Sequence, residues 1–86
     1  MAARVLVVDD HEIFLQGLVL LLNRDERLEV VGTATNGADA VRLAAEIRPD
    51  VVLLDVVMPG MDGYAAAEAM RDHVPDTAIV LVSAAA

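Results

Sequence analysis

Val51-Val52-Leu53-Leu54-Asp55-Val56-Val57-Met58-Pro59-Gly60-Met61-Asp62-Gly63 decides how this chain is read. Four apolar residues end at one carboxylate, and a Pro/Gly turn follows at once. An uninterrupted Val/Leu run is the pattern of a strand covered on both faces, as strands of parallel sheets are. In open parallel sheets, chemistry gathers beyond the carboxyl ends of the strands, which is where Asp55 would stand. The alternative is that Asp55 only caps the following turn, a common role for Asp where a strand gives way to a loop.

On the N-terminal side of this stretch, Val5-Leu6-Val7-Val8 reads as a first strand. It ends at Asp9-Asp10, which could also start a helix as N-cap and first-turn anion. From His11 to Asn23 the period becomes helical. Phe14, Leu18, Leu21 and Leu22 fall on one stripe, with Leu15, Val19 and Leu20 outside it, so the helix is apolar around much of its circumference. Leu28 to Ala34 mixes polar residues and Gly32 into a strand pattern, which suits a sheet edge. Asn36-Gly37 then opens a second helix, carrying Val41, Ala44, Ala45 and Ile47 on its apolar stripe, and Pro49 ends it. On the C-terminal side, Asp62 can cap a third helix running from Gly63 to about Arg71, and Pro75-Asp76 breaks it. Ala78-Ile79-Val80-Leu81-Val82 reads as a fourth strand, ending at Ser83. Right-handed crossovers turn this alternation into a doubly wound parallel α/β sheet with helices on both faces. The last strand is fully apolar, as an interior strand would be, so the sheet reads as cut short after it.

Composition narrows the function classes. A chain of 86 residues forms one domain at most, and 57% of its residues are hydrophobic, clustered in short runs that favour a core over disorder. One Tyr, one Phe and no Trp leave no aromatic platform for single-stranded nucleic acid. A net charge of −8 repels phosphate backbones, so direct nucleic-acid binding by these residues is not expected. The absence of Cys removes disulfides, thiolate metal sites and Cys nucleophiles. No apolar run is long enough to span a bilayer, and the start lacks a signal-peptide pattern, which makes the cytoplasm the expected location and the membrane no partner.

Three apolar strands thus end in oxygen-bearing residues: Asp9-Asp10, Asp55 and Ser83. If the first strand is central, the chain reverses direction between the first and third strands, and the carboxylates converge on the resulting crevice. Carboxylates so close repel unless a cation joins them. An oxygen-only ligand set with open positions suits Mg²⁺. Asp55 could then attack phosphorus to form an acyl phosphate, and Ser83 could donate its hydroxyl to a phosphoryl oxygen.

With these residues in view, the chain resembles the receiver domains of two-component response regulators, along its whole length. Asp9-Asp10, the strand ending at Asp55, Met58-Pro59, Met61-Asp62-Gly63 and Ser83-Ala84 follow the family's order and spacing. Asp9-Asp10-His11, Gly17-Leu18, Leu21-Leu22, Val30-Val31-Gly32 and Asn36-Gly37 look more narrowly like the NarL/LuxR-type subgroup. The resemblance implies a flavodoxin-like (CheY-like) fold. It implies a sensor histidine kinase as phosphodonor and a C-terminal helix-turn-helix effector domain that regulates transcription. By resemblance, Asp55 is the phosphoacceptor, Asp10 a direct Mg²⁺ ligand, Asp9 a ligand through water, the Val57 carbonyl a ligand, and Ser83 the switch hydroxyl.

Two departures stand against the family's pattern. The family places a lysine after a fifth strand, and here all six basic residues other than histidine are arginines. The fourth helix, fifth strand and fifth helix have no counterpart within residues 1–86. A phosphorylation-independent interaction or dimerisation module of the same fold is therefore the competing reading. A phosphatase with an Asp nucleophile is a weaker one, for want of a second acid in the pattern such enzymes need. The open sheet edge and the broadly apolar first helix lead us to expect a homodimer. His11 reads as a polar first-turn residue, His73 as a cation at a helix C-terminus, and Met58 and Met61 as gap-fillers.

Overall fold

The computed structural model describes residues 2–56 and 63–82. Four strands alternate with three helices: β1 (Ala3–Val8), α1 (Glu12–Asn23), β2 (Leu28–Ala34), α2 (Gly37–Ile47), β3 (Val51–Asp55), α3 (Gly63–His73) and β4 (Ala78–Val82). All pairings are parallel, in the order β2-β1-β3-β4. The first strand is therefore central and β2 lies at an edge, as its mixed sequence indicates. Direction reverses between β1 and β3, so a crevice opens beyond their carboxyl ends.

Strand alternation sorts the core into two layers. Leu6, Val8, Val52 and Leu54 point toward α2 and α3, where Ala40, Ala44, Ala66, Ala67 and Met70 meet them. Small alanines let both helices lie close to the sheet, and Met70 fills the remaining space. Leu6, Leu54 and Met70 have no solvent exposure, and truncating any of them to Ala would cost about 2–5 kcal/mol. The opposite face, with Val5 and Val7, is covered by α1 through buried Leu15, backed by Leu18 and Leu22.

Leu15 corrects the sequence reading of α1. The stripe that meets the sheet is Leu15-Leu18-Leu22, rotated from the expected one, so that Phe14 is 50% and Leu21 62% exposed. In α2 the buried stripe is Gly37, Ala40 and Ala44, with Ala45 exposed. Asn36 caps that helix, accepting from the Asp39 amide at 2.8 Å and donating to the Asp39 carboxylate at 3.0 Å. Arg48 closes it in the left-handed conformation (φ 51°), which carries the chain into Pro49 and β3.

The two central strands are also clamped at their N-terminal ends. The Arg4 amide donates to Asp50 Oδ2 (2.8 Å), the Asp50 amide to the Arg4 carbonyl (2.8 Å), and the Arg4 guanidinium to the Arg48 carbonyl (3.1 Å). Register between β1 and β3 is thereby fixed at one end, and the carboxylates at the other end inherit it. The expected cap Asp62 lies outside the described residues.

Candidate metal and phosphoryl site

Asp9 follows β1 directly, and Asp55 is the last residue of β3. Both are buried, at 6% and 8% exposure, as Asp rarely is unless paired. Local backbone explains their positions. The Asp9 amide donates to the Ala34 carbonyl (3.1 Å), which extends the β1–β2 ladder by one residue. Beyond Asp55, the Val56 amide donates to the Val82 carbonyl (3.1 Å) and the Gly63 amide to the Val56 carbonyl (3.0 Å). The start of α3 is thus tied to the strand end that carries the carboxylate.

Asp9 does not cap α1 as a sequence reading allows. Its Oδ1 accepts from the His11 amide at 2.8 Å, and His11 itself takes the N-cap position, without a side-chain capping bond. The imidazole turns back to the carboxylates instead, with Nδ1 at 3.3 Å from Asp9 Oδ1 and 3.1 Å from Asp10 Oδ1. Asp9, Asp10, His11 and Asp55 each offer one ligand atom, and these four atoms lie within 4.8 Å of one another. The sequence brings out the three carboxylates. From the sequence, His11 reads as a polar first-turn residue or, less readily, a proton shuttle beside the acidic pair, because spacing alone does not say which way an N-cap side chain turns.

The residues present fit a divalent cation. Asp10 Oδ1 is buried and receives no hydrogen bond; the His11 ring approaches it without the alignment a hydrogen bond needs. A buried acceptor left unmet costs about 1–3 kcal/mol, more when charged, and a cation at the mouth would meet it. Oxygen donors of this kind suit Mg²⁺ or Mn²⁺. Beside the carboxylates a shallow hollow runs between α1 and the sheet, with Asp9 and Asp55 on its rim and Phe14, Leu18, Leu53 and Val82 along its walls. Val57 and Ser83, the other two expected site residues, lie outside the described residues.

A parallel sheet in this order, with its acidic cluster at the reversal point, defines a class of signalling domain. Residues 5–86 match the response regulator receiver domain, and the chain belongs to that family. It is 42% identical to the transcriptional regulatory protein LiaR of Bacillus subtilis over 80 residues, which are 93% of this chain and 38% of LiaR. It is 45% identical to the response regulator GacA of Pseudomonas aeruginosa, again over 93% of this chain and 37% of that protein. The chain thus spans well under half the length of these curated relatives. Among solved structures, the receiver domain of the response regulator NarL from Mycobacterium tuberculosis superposes with a TM-score of 0.91 at 44% identity, over 99% of this chain and 68% of that one. The response regulator domain of Thermotoga maritima CheB superposes at 0.92 with 34% identity, over 96% of this chain and 61% of that one. The fold is the CheY-like α/β fold of these receivers. Among the described residues, no helix is long and apolar enough to cross a membrane.

Proposed function

We propose that Asp55 accepts a phosphoryl group from a sensor histidine kinase, and that the resulting charge switches an output domain. The observation that carries this reading is the convergence of Asp9, Asp10 and Asp55 at the crevice, with a buried Asp10 oxygen that no donor meets. An Asp55 oxygen attacks phosphorus, the bond from phosphorus to the donor's imidazole nitrogen breaks, and an acyl phosphate remains on Asp55. A bound Mg²⁺ would neutralise charge on the transferring group. Asp10, Asp55 and the Val57 carbonyl would hold that ion directly, and Asp9 through water. Asp9 also fixes the turn into α1 through the His11 amide, which keeps Asp10 aimed at the crevice. Ser83 would donate its hydroxyl to a phosphoryl oxygen and transmit the change.

In this role the chain is a substrate and switch more than an enzyme. The 86 residues correspond to a receiver through its fourth strand, and the lysine that completes the family's site would come from outside them. LiaR is a transcriptional regulatory protein, which supports a DNA-binding output domain in the full protein. A Mg²⁺ titration of the chain tests the site. Wild type should bind weakly, Asp10→Asn and Asp55→Asn more weakly still. Equal affinity in all three would remove these carboxylates from the site and favour the phosphorylation-independent module.

A second copy of the chain is the partner that the exposed surfaces favour. Among the described residues nothing pairs with the outer side of β4, where Val80, Leu81 and Val82 are exposed. The outer face of α1 presents Ile13, Phe14, Leu20 and Leu21, and Glu12 is the only charged residue of that helix. In a chain of net charge −8, α1 and the uncharged β4 are therefore stretches that two copies can bring together with little repulsion.

A further inference from the structure

We infer that His11 is a nitrogen ligand of the cation at this site, and that the site therefore takes a first-row transition ion such as Co²⁺ or Mn²⁺ more tightly than Mg²⁺. The inference rests on the proposed cation site and adds to it a ligand and a metal preference.

Three observations support it. The imidazole stands at the N-cap of α1, where a side chain ordinarily accepts from the first-turn amides, and makes no such bond. Its Nδ1 is turned to the two carboxylates, in hydrogen-bond contact with Asp9 Oδ1 at 3.3 Å and 3.1 Å from Asp10 Oδ1. The approach to Asp10 lacks hydrogen-bond alignment, so Asp10 Oδ1 remains unmet although a nitrogen is beside it.

These spacings are those of ligands sharing one ion. Adjacent donors about 2.1 Å from a metal are about 3.0 Å apart at octahedral angles and about 3.4 Å apart at tetrahedral ones. Opposite donors of an octahedral ion are about 4.2 Å apart, so the ligand atoms of Asp10, His11 and Asp55, within 4.8 Å of one another, need to contract by only about half an ångström, with Asp9 reaching the ion through water. Nδ1 and the Asp10 oxygen already stand at neighbouring-ligand distance. The remaining face of the imidazole side chain is open to solvent, its exposure being 74%, so the ring can follow the ion without breaking a packed contact.

Donor chemistry then sets the preference. Carboxylate and carbonyl oxygens alone suit Mg²⁺, whereas imidazole raises affinity for the later divalent ions. One nitrogen beside the two directly bound carboxylates should separate Co²⁺ from Mg²⁺ by tenfold or more.

The test compares the wild-type chain with His11→Ala and His11→Gln, titrated calorimetrically with Mg²⁺ and with Co²⁺, and examined by pulsed electron paramagnetic resonance of bound Mn²⁺. We expect directly coordinated ¹⁴N coupling in the wild type and its loss in both variants. We also expect a fall of at least tenfold in Co²⁺ affinity, larger than any fall in Mg²⁺ affinity. His73, the other histidine of the chain, is the internal control, since a signal arising there survives both substitutions and overturns the assignment. Wild-type Mn²⁺ without ¹⁴N coupling, together with Mg²⁺ binding that still depends on Asp10, overturns the His11 inference and leaves the receiver reading intact. No binding of any of these ions overturns both.

Discussion

Gly63 packs against the backbone of Asp55 so closely that no side chain fits between them. A Cβ built on Gly63 would run into the Asp55 carbonyl oxygen and lie 2.5 Å from Val56 Cα. These obstacles are backbone, so they cannot rotate away. Gly63→Ala should therefore push α3 off the end of β3 and destabilise the chain by about 1–3 kcal/mol, as overpacking does. Gly17 is the control, because a Cβ there meets nothing within 4 Å and the position is in an exposed helix interior. Gly17→Ala should stabilise by roughly 0.5–1 kcal/mol. Urea unfolding midpoints moving in opposite directions for the two variants are the expected result.

The carboxylate cluster costs stability as long as no cation joins it. Asp10→Asn removes one charge from a group whose ligand atoms lie within 4.8 Å, and its amide can donate to a neighbouring carboxylate. Without metal, the variant should be more stable by about 1 kcal/mol, a rise of roughly 4–8 °C in Tm for a domain of this size. Adding Mg²⁺ should raise the wild-type Tm and leave the variant nearly unchanged. Thermal melts with and without Mg²⁺ measure both.

Acid sensitivity has an identifiable contributor far from the site. In the turn between α1 and β2, the Arg27 guanidinium donates to both oxygens of Asp25 at 2.7 and 3.0 Å, and the Arg27 amide adds a bond at 2.9 Å. These bonds hold the Asp25 pKa at about 2, below its ordinary 3.8. A depressed carboxyl pKa contributes stability above the unfolded value, and that contribution is lost as pH falls from about 4 through about 2. The effect on stability is small, since the pair is exposed. In Arg27→Ala, the Asp25 carboxyl followed by NMR should titrate near its ordinary value.

Self-association should follow from β4 and α1. Sedimentation at micromolar concentration should give a dimer, and Leu20→Glu or Val80→Glu should shift it toward monomer by placing charge on the exposed apolar surface. A wild-type monomer under these conditions would contradict the expectation.

Where the sequence pattern was distinctive, it led to the right element. Val51–Leu54 could only be a covered strand, and the mixed β2 could only be an edge; both stand so in the sheet. Asp9, Asp10 and Asp55 were legible because a parallel sheet brings the ends of its strands to one rim. The inward face of α1 was not legible. With apolar residues at nearly every position from Ile13 to Leu22, hydrophobic period cannot distinguish Phe14 from Leu15, and only the sheet beneath decides. Ala40 and Ala45 pose the same problem in α2. His11 is harder to read for another reason, since whether its ring turns to the acidic pair depends on side-chain direction, which tertiary contacts set.

The central claim is that Asp55 carries the phosphoryl group under the control of a cation held by its neighbours. The most direct measurement exposes the 86-residue chain to acetyl phosphate with and without Mg²⁺, reduces any acyl phosphate with borohydride, and locates the product by mass spectrometry. We predict slow modification, since the sequence contains no lysine to offset phosphoryl charge. It should require Mg²⁺, be confined to Asp55 and be absent from Asp55→Asn. Product at Asp9 or Asp10, or an equal yield without Mg²⁺, would contradict it.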